Sequence, residues 1–226
     1  MAKQQAEQEA LGEAMNKTEL FFEKNGRKLS YLFIVLLIIA GGVFAFRSLV
    51  MQPKEDRASE MIAGAQNRFE AENPDFELAL NGDAEAAGFL AVIDEYGSTE
   101  AGNLAKHYAG ICYLNMGDFE NAAKYLAMYS AVDGIPGAIV NAQNLGLQGD
   151  AAVELQKYAD AVNFYKKAAA ISDNNLTAPL YLRKVAQVEL KQGNAEAAKA
   201  LLQNIMDNHA QSMEAREAEK LMAAIR

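Results

Sequence analysis

The chain is poor in the residues that most chemistry needs. It has one cysteine, two histidines, no tryptophan and four prolines in 226 residues. A single cysteine, Cys112, excludes a disulfide scaffold and any Cys-x-x-Cys metal knuckle. The histidines, His107 and His209, stand far apart and leave no ligand set for a zinc enzyme. So few prolines favour long helices over a turn-rich β fold. Basic residues are also outnumbered: 21 Lys/Arg stand against 30 Asp/Glu, a net charge of −9. That balance excludes the basic footprint of a nucleic-acid binder. No phosphate-cradling glycine loop, His-Glu-x-x-His pair or Gly-x-Ser-x-Gly elbow occurs. No catalysis, cofactor or metal is therefore expected.

What is present is apolar residues, 51 % of the chain, enough to bury a core. They concentrate first in Leu29 to Phe46, LSYLFIVLLIIAGGVFAF, which carries no charge. A membrane-spanning helix needs about 20 mostly apolar residues, and Leu49, Val50 and Met51 extend the run past Arg47. The sequence predicts a transmembrane helix over 29–51, with Leu32, Phe33, Ile34, Leu36, Leu37, Ile38 and Ile39 as its lipid-facing centre. A buried core helix fits less well, because the run is apolar all round. A cleaved signal peptide fits less well, since a long leader with five Glu precedes the run. The positive-inside rule leans towards residues 1–28 as a cytoplasmic tail, because Lys17, Lys24, Arg27 and Lys28 precede the span. Residues 53–226 then lie outside the cytoplasm. Leu11, Met15, Thr18 and Phe22 share one face of a possible short helix within the tail, or the tail is loosely ordered.

Charge separates the two parts. Residues 1–51 hold six Lys/Arg and five Glu, whereas 52–226 hold 15 Lys/Arg and 25 Asp/Glu. An acidic domain is repelled by anionic headgroups. It is expected to stand off the membrane and to prefer neutral or basic partners.

The second part repeats. Gly110, Gly149 and Ala186 each precede a turn, at Met116-Gly117-Asp118, Gln156-Lys157 and Gln192-Gly193-Asn194. After each turn comes the same apolar spacing: Phe119/Ala122/Leu126/Tyr129, Tyr158/Ala161/Tyr165/Ala168 and Ala195/Ala198/Leu202/Ile205. Small residues let paired helices approach closely, and large ones such as Tyr113 and Tyr165 fill the space between pairs. A lone pair cannot bury its own apolar face, so the pairs must stack. Helix pairs are predicted at about 103–133, 138–173 and 178–210. Gly134-Ile135-Pro136-Gly137 and 173–177 serve as connections. A divergent pair is expected over 57–97, with helices at Arg57–Ala71 and Asp83–Tyr96 joined by a loop over Asp75–Gly82. A terminal helix at 214–225 carries Leu221, Met222 and Ile225, either as a cap or as a dimer surface. No stretch alternates with period two, so the expected class is all-α.

The small/aromatic spacing over 103–210 resembles the tetratricopeptide repeat, although Ala152 and Glu189 stand where Tyr113 supplies an aromatic. The whole arrangement, with FELALNGD (76–83), YGSTEAGNLAKHYAGICYLNMGDFENA (96–122) and TAPLYL (177–182), is similar to tetratricopeptide-repeat inner-membrane proteins of Bacteroidetes. These are related to the YfgM-type ancillary subunit of the SecYEG translocon. The resemblance implies an α-solenoid on the periplasmic side and partners among SecYEG, a PpiD-type chaperone and emerging secretory polypeptides. The competing reading is a scaffold of another envelope machine, in cell-wall synthesis, division or outer-membrane secretion.

In a solenoid the first helices line the inner surface. The candidate groove residues are His107, Asn115, Asp150, Glu154, Arg183 and Gln187; their mixed charge suits a peptide more than an anion, unless they are simply exposed. Cys112 and most of the tyrosines are expected to be core, and His209 to sit at a helix end.

Overall fold

The computed structural model describes residues 2–171 and 174–225, and side chains from residue 23 onward. Every regular element among the described residues is helical, with one isolated bridge between Gly82 and Ala87. The chain divides into two compact units, 1–53 and 54–226.

The first unit is helix α1 (Ala2–Phe46) followed by one π-helical stretch, Arg47–Met51. The helical run from Glu23 to Phe69 is long and apolar enough to cross a membrane by length and composition, and none of its most apolar window is buried. Leu32, Phe33, Ile34, Leu36, Leu37, Ile38 and Ile39 are all exposed. A helix is the form this sequence must take in lipid, where each backbone group has to find its partner within the segment. The tail is not a separate short helix, because its backbone belongs to α1. The side chains of Leu11, Met15, Thr18 and Phe22 lie outside the described residues.

The second unit holds α2 (Gln52–Phe69, from Lys54 on), α3 (Phe76–Asn81), α4 (Phe89–Tyr96), α5 (Glu100–Asn115) and α6 (Phe119–Met128). It continues with α7 (Ile135–Glu154), α8 (Tyr158–Ile171), α9 (Thr177–Lys191), α10 (Ala195–Asn208) and α11 (Met213–Ala224). Helices α5–α6, α7–α8 and α9–α10 form three helix-turn-helix pairs. Each pair touches the next through α6–α7, α8–α9 and α10–α11, and the first helices also meet one another: α5 with α7, α7 with α9, α9 with α11.

The three turns share one backbone geometry. Gly117 (φ 78°), Gln156 (φ 57°) and Gly193 (φ 82°) occupy the left-handed region, 39 and 37 residues apart. The next amide donates back to a carbonyl five residues upstream each time: Asp118 N to Tyr113 O, Lys157 N to Ala152 O, Asn194 N to Glu189 O. This is the six-to-one bond of a Schellman motif. Glycine adopts that conformation without cost; Gln156 adopts it at a penalty.

The small residues sit where helices meet. A Cβ on Gly110 would collide with Leu126, on Gly149 with the Tyr165 ring, and on Gly146 with the Tyr181 ring. Ala122, Ala161, Ala186 and Ala198 are fully buried, and Tyr165 is nearly so. Tyr113 is half-buried and stacks on Tyr125 at 5.2 Å. Leu221, Met222 and Ile225 are partly buried and pack on the cluster of Ala186, Ala198, Leu202, Ile205, Ala215 and Ala218.

The region 57–97 departs from expectation. Phe76–Asn81 is a helix rather than a loop, capped by the Asp75 carboxylate, which accepts from Leu78 N at 2.8 Å. The next helix starts at Phe89, not at Asp83. The cause is Asp83, whose carboxylate accepts from Glu85 N, Ala86 N and the Arg68 guanidinium at 2.6–3.1 Å. Such a side chain offers the backbone an alternative to helix. The Gly134–Gly137 connection is also shorter than expected, since α7 begins at Ile135 with Pro136 in its first turn, where a missing N–H costs nothing.

Candidate functional site

The first helices α5, α7 and α9 carry all six groove candidates, and the structure sorts them into three environments. Asn115, Glu154 and Gln187 are exposed. Asn115 sits at the end of α5 and donates its amide to Ile111 O on its own helix at 2.9 Å.

His107 is not on an open groove. It is 3 % exposed and lies in the seam between α5 and α7. Its Nδ1 is 3.1 Å from the Asn144 side-chain nitrogen, and its ring lies 5.9 Å from Tyr108 and 5.7 Å from Tyr129. Burial pushes its pKa down to about 4, against a smaller upward pull from Gln143. It is a neutral packing residue at neutral pH. The reason lies in the repeat register. Position 107 corresponds to 146 and 183, the places where each first helix meets the next one. At 146 glycine makes room for Tyr181; at 183 an arginine stands in the seam towards α11.

Arg183 is half-buried, and its Nε is buried without a hydrogen bond. Its charge helps hold the Glu217 carboxyl below the usual range, behind the stronger effect of Lys220.

Asp150 is the centre of a polar cluster. Its carboxylate accepts from Tyr165 Oη at 2.6 Å and from Lys184 Nζ at 2.6 and 2.8 Å. Lys184 also lies 5.4 Å from the Tyr165 ring centre, and Tyr165 stacks on Tyr181 at 6.5 Å. Burial, then the Asp150 carboxylate, raises the Tyr165 hydroxyl well above its ordinary pKa. The cluster ties α7, α8 and α9 together. With its charge matched, Asp150 is a strut of the stack as well as a half-exposed acceptor. Lys184 and Tyr165 complete this cluster. Their role was hidden because the ion pair spans two helix pairs and has no local signature.

A small hollow among α6, α7 and α8 is lined by Ala123, Ala127, Gln148, Ala152, Leu155, Lys157, Asp160 and Phe164. Ala152 corresponds to Tyr113, and Phe164 to Tyr125. The hollow lies where the second pair lacks the aromatic that stacks in the first.

Cys112 is fully buried, and burial pushes its thiol up to about 12. It is an apolar filler, not a nucleophile. His209 is buried at the end of α10, with Nδ1 3.3 Å from Asn175 Oδ1. Among the described residues no group of three or more His, Cys, Asp or Glu is placed to hold a metal ion.

No protein-family model matches the chain, and no curated protein matches it by sequence.

Proposed function

We propose that the protein is a non-catalytic, membrane-anchored binding module. One helix anchors it in the inner membrane with the N-terminus in the cytoplasm. Residues 53–226 form a tetratricopeptide-like array in the periplasm that binds protein partners or emerging polypeptides. The sequence resemblance favours an ancillary role at the SecYEG translocon, beside a PpiD-type chaperone. The observation that carries the reading is one exposed apolar helix in the same chain as three helix pairs with a common turn geometry. An anchor plus a stack of small-residue pairs concentrates a binding surface at a membrane.

The inner surface of the array is the working face in this reading. Glu154 and Gln187 offer exposed polar contacts, Asp150 an acceptor held by Lys184, and Arg183 a half-buried cation. Affinity purification of the full-length protein from mildly solubilised membranes tests the role. Recovery of a Sec component or periplasmic chaperone supports it. Recovery of cell-wall, division or outer-membrane machinery without Sec replaces it with the scaffold reading.

A further inference from the structure

Helices α6 and α8 both pack on α7, and the hollow lies in the gap left between them. Each helix pair has one side chain at this register. In the first pair it is Tyr113, whose ring stacks on Tyr125 at 5.2 Å and 20°. In the third pair it is Glu189, which accepts from Asn194 Nδ2 at 2.7 Å. In the second pair it is Ala152, and a methyl leaves open the space that a ring takes. The aromatic that would receive the ring is nevertheless present, because Phe164 stands where the first pair has Tyr125. The turns fix this alignment, since Gly117, Gln156 and Gly193 mark the same steps of 39 and 37 residues.

Size and chemistry narrow the occupant. The hollow holds about 140 Å³. An apolar cavity of about 150 Å³ accepts benzene, whereas whole small-molecule ligands take pockets of about 300–1,000 Å³. The space is that of one ring, so the rest of the molecule that carries the ring must lie outside it. Ala123, Ala127, Ala152, Leu155 and Phe164 make most of the wall apolar. The charged lining residues, Lys157 and Asp160, are exposed and of opposite sign, so neither sign of ligand charge is favoured. Gln148 has its amide nitrogen committed to Asn144 Oδ1 at 2.8 Å. Phe164 lacks the hydroxyl that Tyr125 carries, which suits a plain phenyl ring.

We infer that the hollow binds a phenylalanine side chain of a partner polypeptide, its ring stacked on Phe164 in the place that Tyr113 takes in the first pair. Aromatic pairs stack with centroids about 4.5–7 Å apart, the range in which Tyr113 and Tyr125 already lie. An aromatic side chain seated in a ready-made pocket is a frequent anchor of protein interfaces. This inference rests on the binding-module reading and names the chemistry of one of its contacts.

The test uses full-length protein in zwitterionic nanodiscs. The probe is a soluble Gly/Ser peptide with one ring-fluorinated phenylalanine, read by fluorine NMR. The expected result is saturable binding that weakens about tenfold or more in Ala152→Tyr, which supplies the missing ring from the protein itself. Ala127→Leu, at an exposed position on the wall of the hollow, should weaken it in the same direction and serves if the first variant does not fold. Unchanged circular dichroism and melting identify the folded variants. A peptide with leucine in place of phenylalanine should bind severalfold less well. Equal binding by a folded variant, by the leucine peptide or by empty nanodiscs overturns the proposal. So does tighter binding of toluene than of the peptide, which would make a free aromatic molecule the occupant. A wild-type dimer that Ala152→Tyr dissolves would make a second copy the occupant and overturns it too. Partner capture from a photoreactive group at 187 reads the binding-module proposal separately. Capture without ring binding loses only the hollow, and ring binding without capture loses only that broader reading.

Discussion

The two units use the same residue types in opposite ways. In the first, leucine, isoleucine and phenylalanine cover the outside of one helix, and Gly41 and Gly42 have open space around them. In the second, alanine and glycine line the contacts, and Gly110, Gly146 and Gly149 lie directly against side chains of neighbouring helices. A glycine in the first unit is merely tolerated; in the second it sets how closely helices approach. An apolar run is a surface in one setting and a filling in the other, so composition alone does not tell which is which. Periodicity does: the span is apolar all round, whereas the pairs confine their apolar residues to one face.

The comparison can be broken most forcefully in the span. Leu37→Asp with Ile38→Asp should cost about 5–7 kcal/mol in membrane insertion, at about 2.5–3.5 kcal/mol per charge. Thermal unfolding of the second unit should stay unchanged. Membrane extraction followed by calorimetry reads both.

The glycines come next. Gly149→Leu forces a side chain into the Tyr165 ring and should cost about 3 kcal/mol, the upper range for overpacking. Gly41→Leu should leave the unfolding of the helix pairs where it is. Urea titration of both variants gives the contrast directly, and equal loss in both would erase the distinction between the units.

The buried seam predicts a pH effect of similar size. His107 titrates near 4 when folded, against 6.5 as the ordinary value. Above 6.5 both states are neutral and the full stability is present. As pH falls from 6.5 to 4, the unfolded chain takes a proton that the folded one refuses. Stability therefore drops by up to about 3 kcal/mol, reached below pH 4. The difference between wild type and His107→Gln in urea midpoints across that window isolates this group. A difference that does not change with pH would contradict the burial of His107.

The smallest effect concerns the turns. Gln156→Gly relieves the left-handed strain and should raise stability by about 0.5–1 kcal/mol. Gly117→Gln, the converse change in the first turn, should lower it by a similar amount. Melting temperatures suffice to see both.

Much of this fold is legible in the sequence, for a physical reason. Gly110, Gly149 and Ala186, with Ala122, Ala161 and Ala198, recur because close helix approach demands small residues, and that demand leaves a spacing. The first apolar helix is legible because Leu29 to Phe46 is an unbroken run without charge, long and apolar enough to cross a membrane. What stays hidden depends on single side chains reaching the backbone. Asp83 captures two amides and delays α4 to Phe89. Asp75 caps α3 inside what reads as a loop. The site was legible only in part. His107 reads as an exposed position on one helix. Its partner Asn144 comes a full repeat later, and alignment with Gly146 and Arg183 is the signal that places it in the seam. Asp150 reads as a groove residue, but its bonds to Tyr165 and Lys184 do not, since no local spacing joins them.

The central claim is that the helix pairs form a binding surface held at the membrane for protein partners. Photo-crosslinking in native membranes from position 187, an exposed site on α9, tests it most directly. Crosslinks to a Sec component, a periplasmic chaperone or a secretory chain in transit are the predicted result. Crosslinks to lipid alone, or none in membranes where the protein is intact and folded, would contradict it.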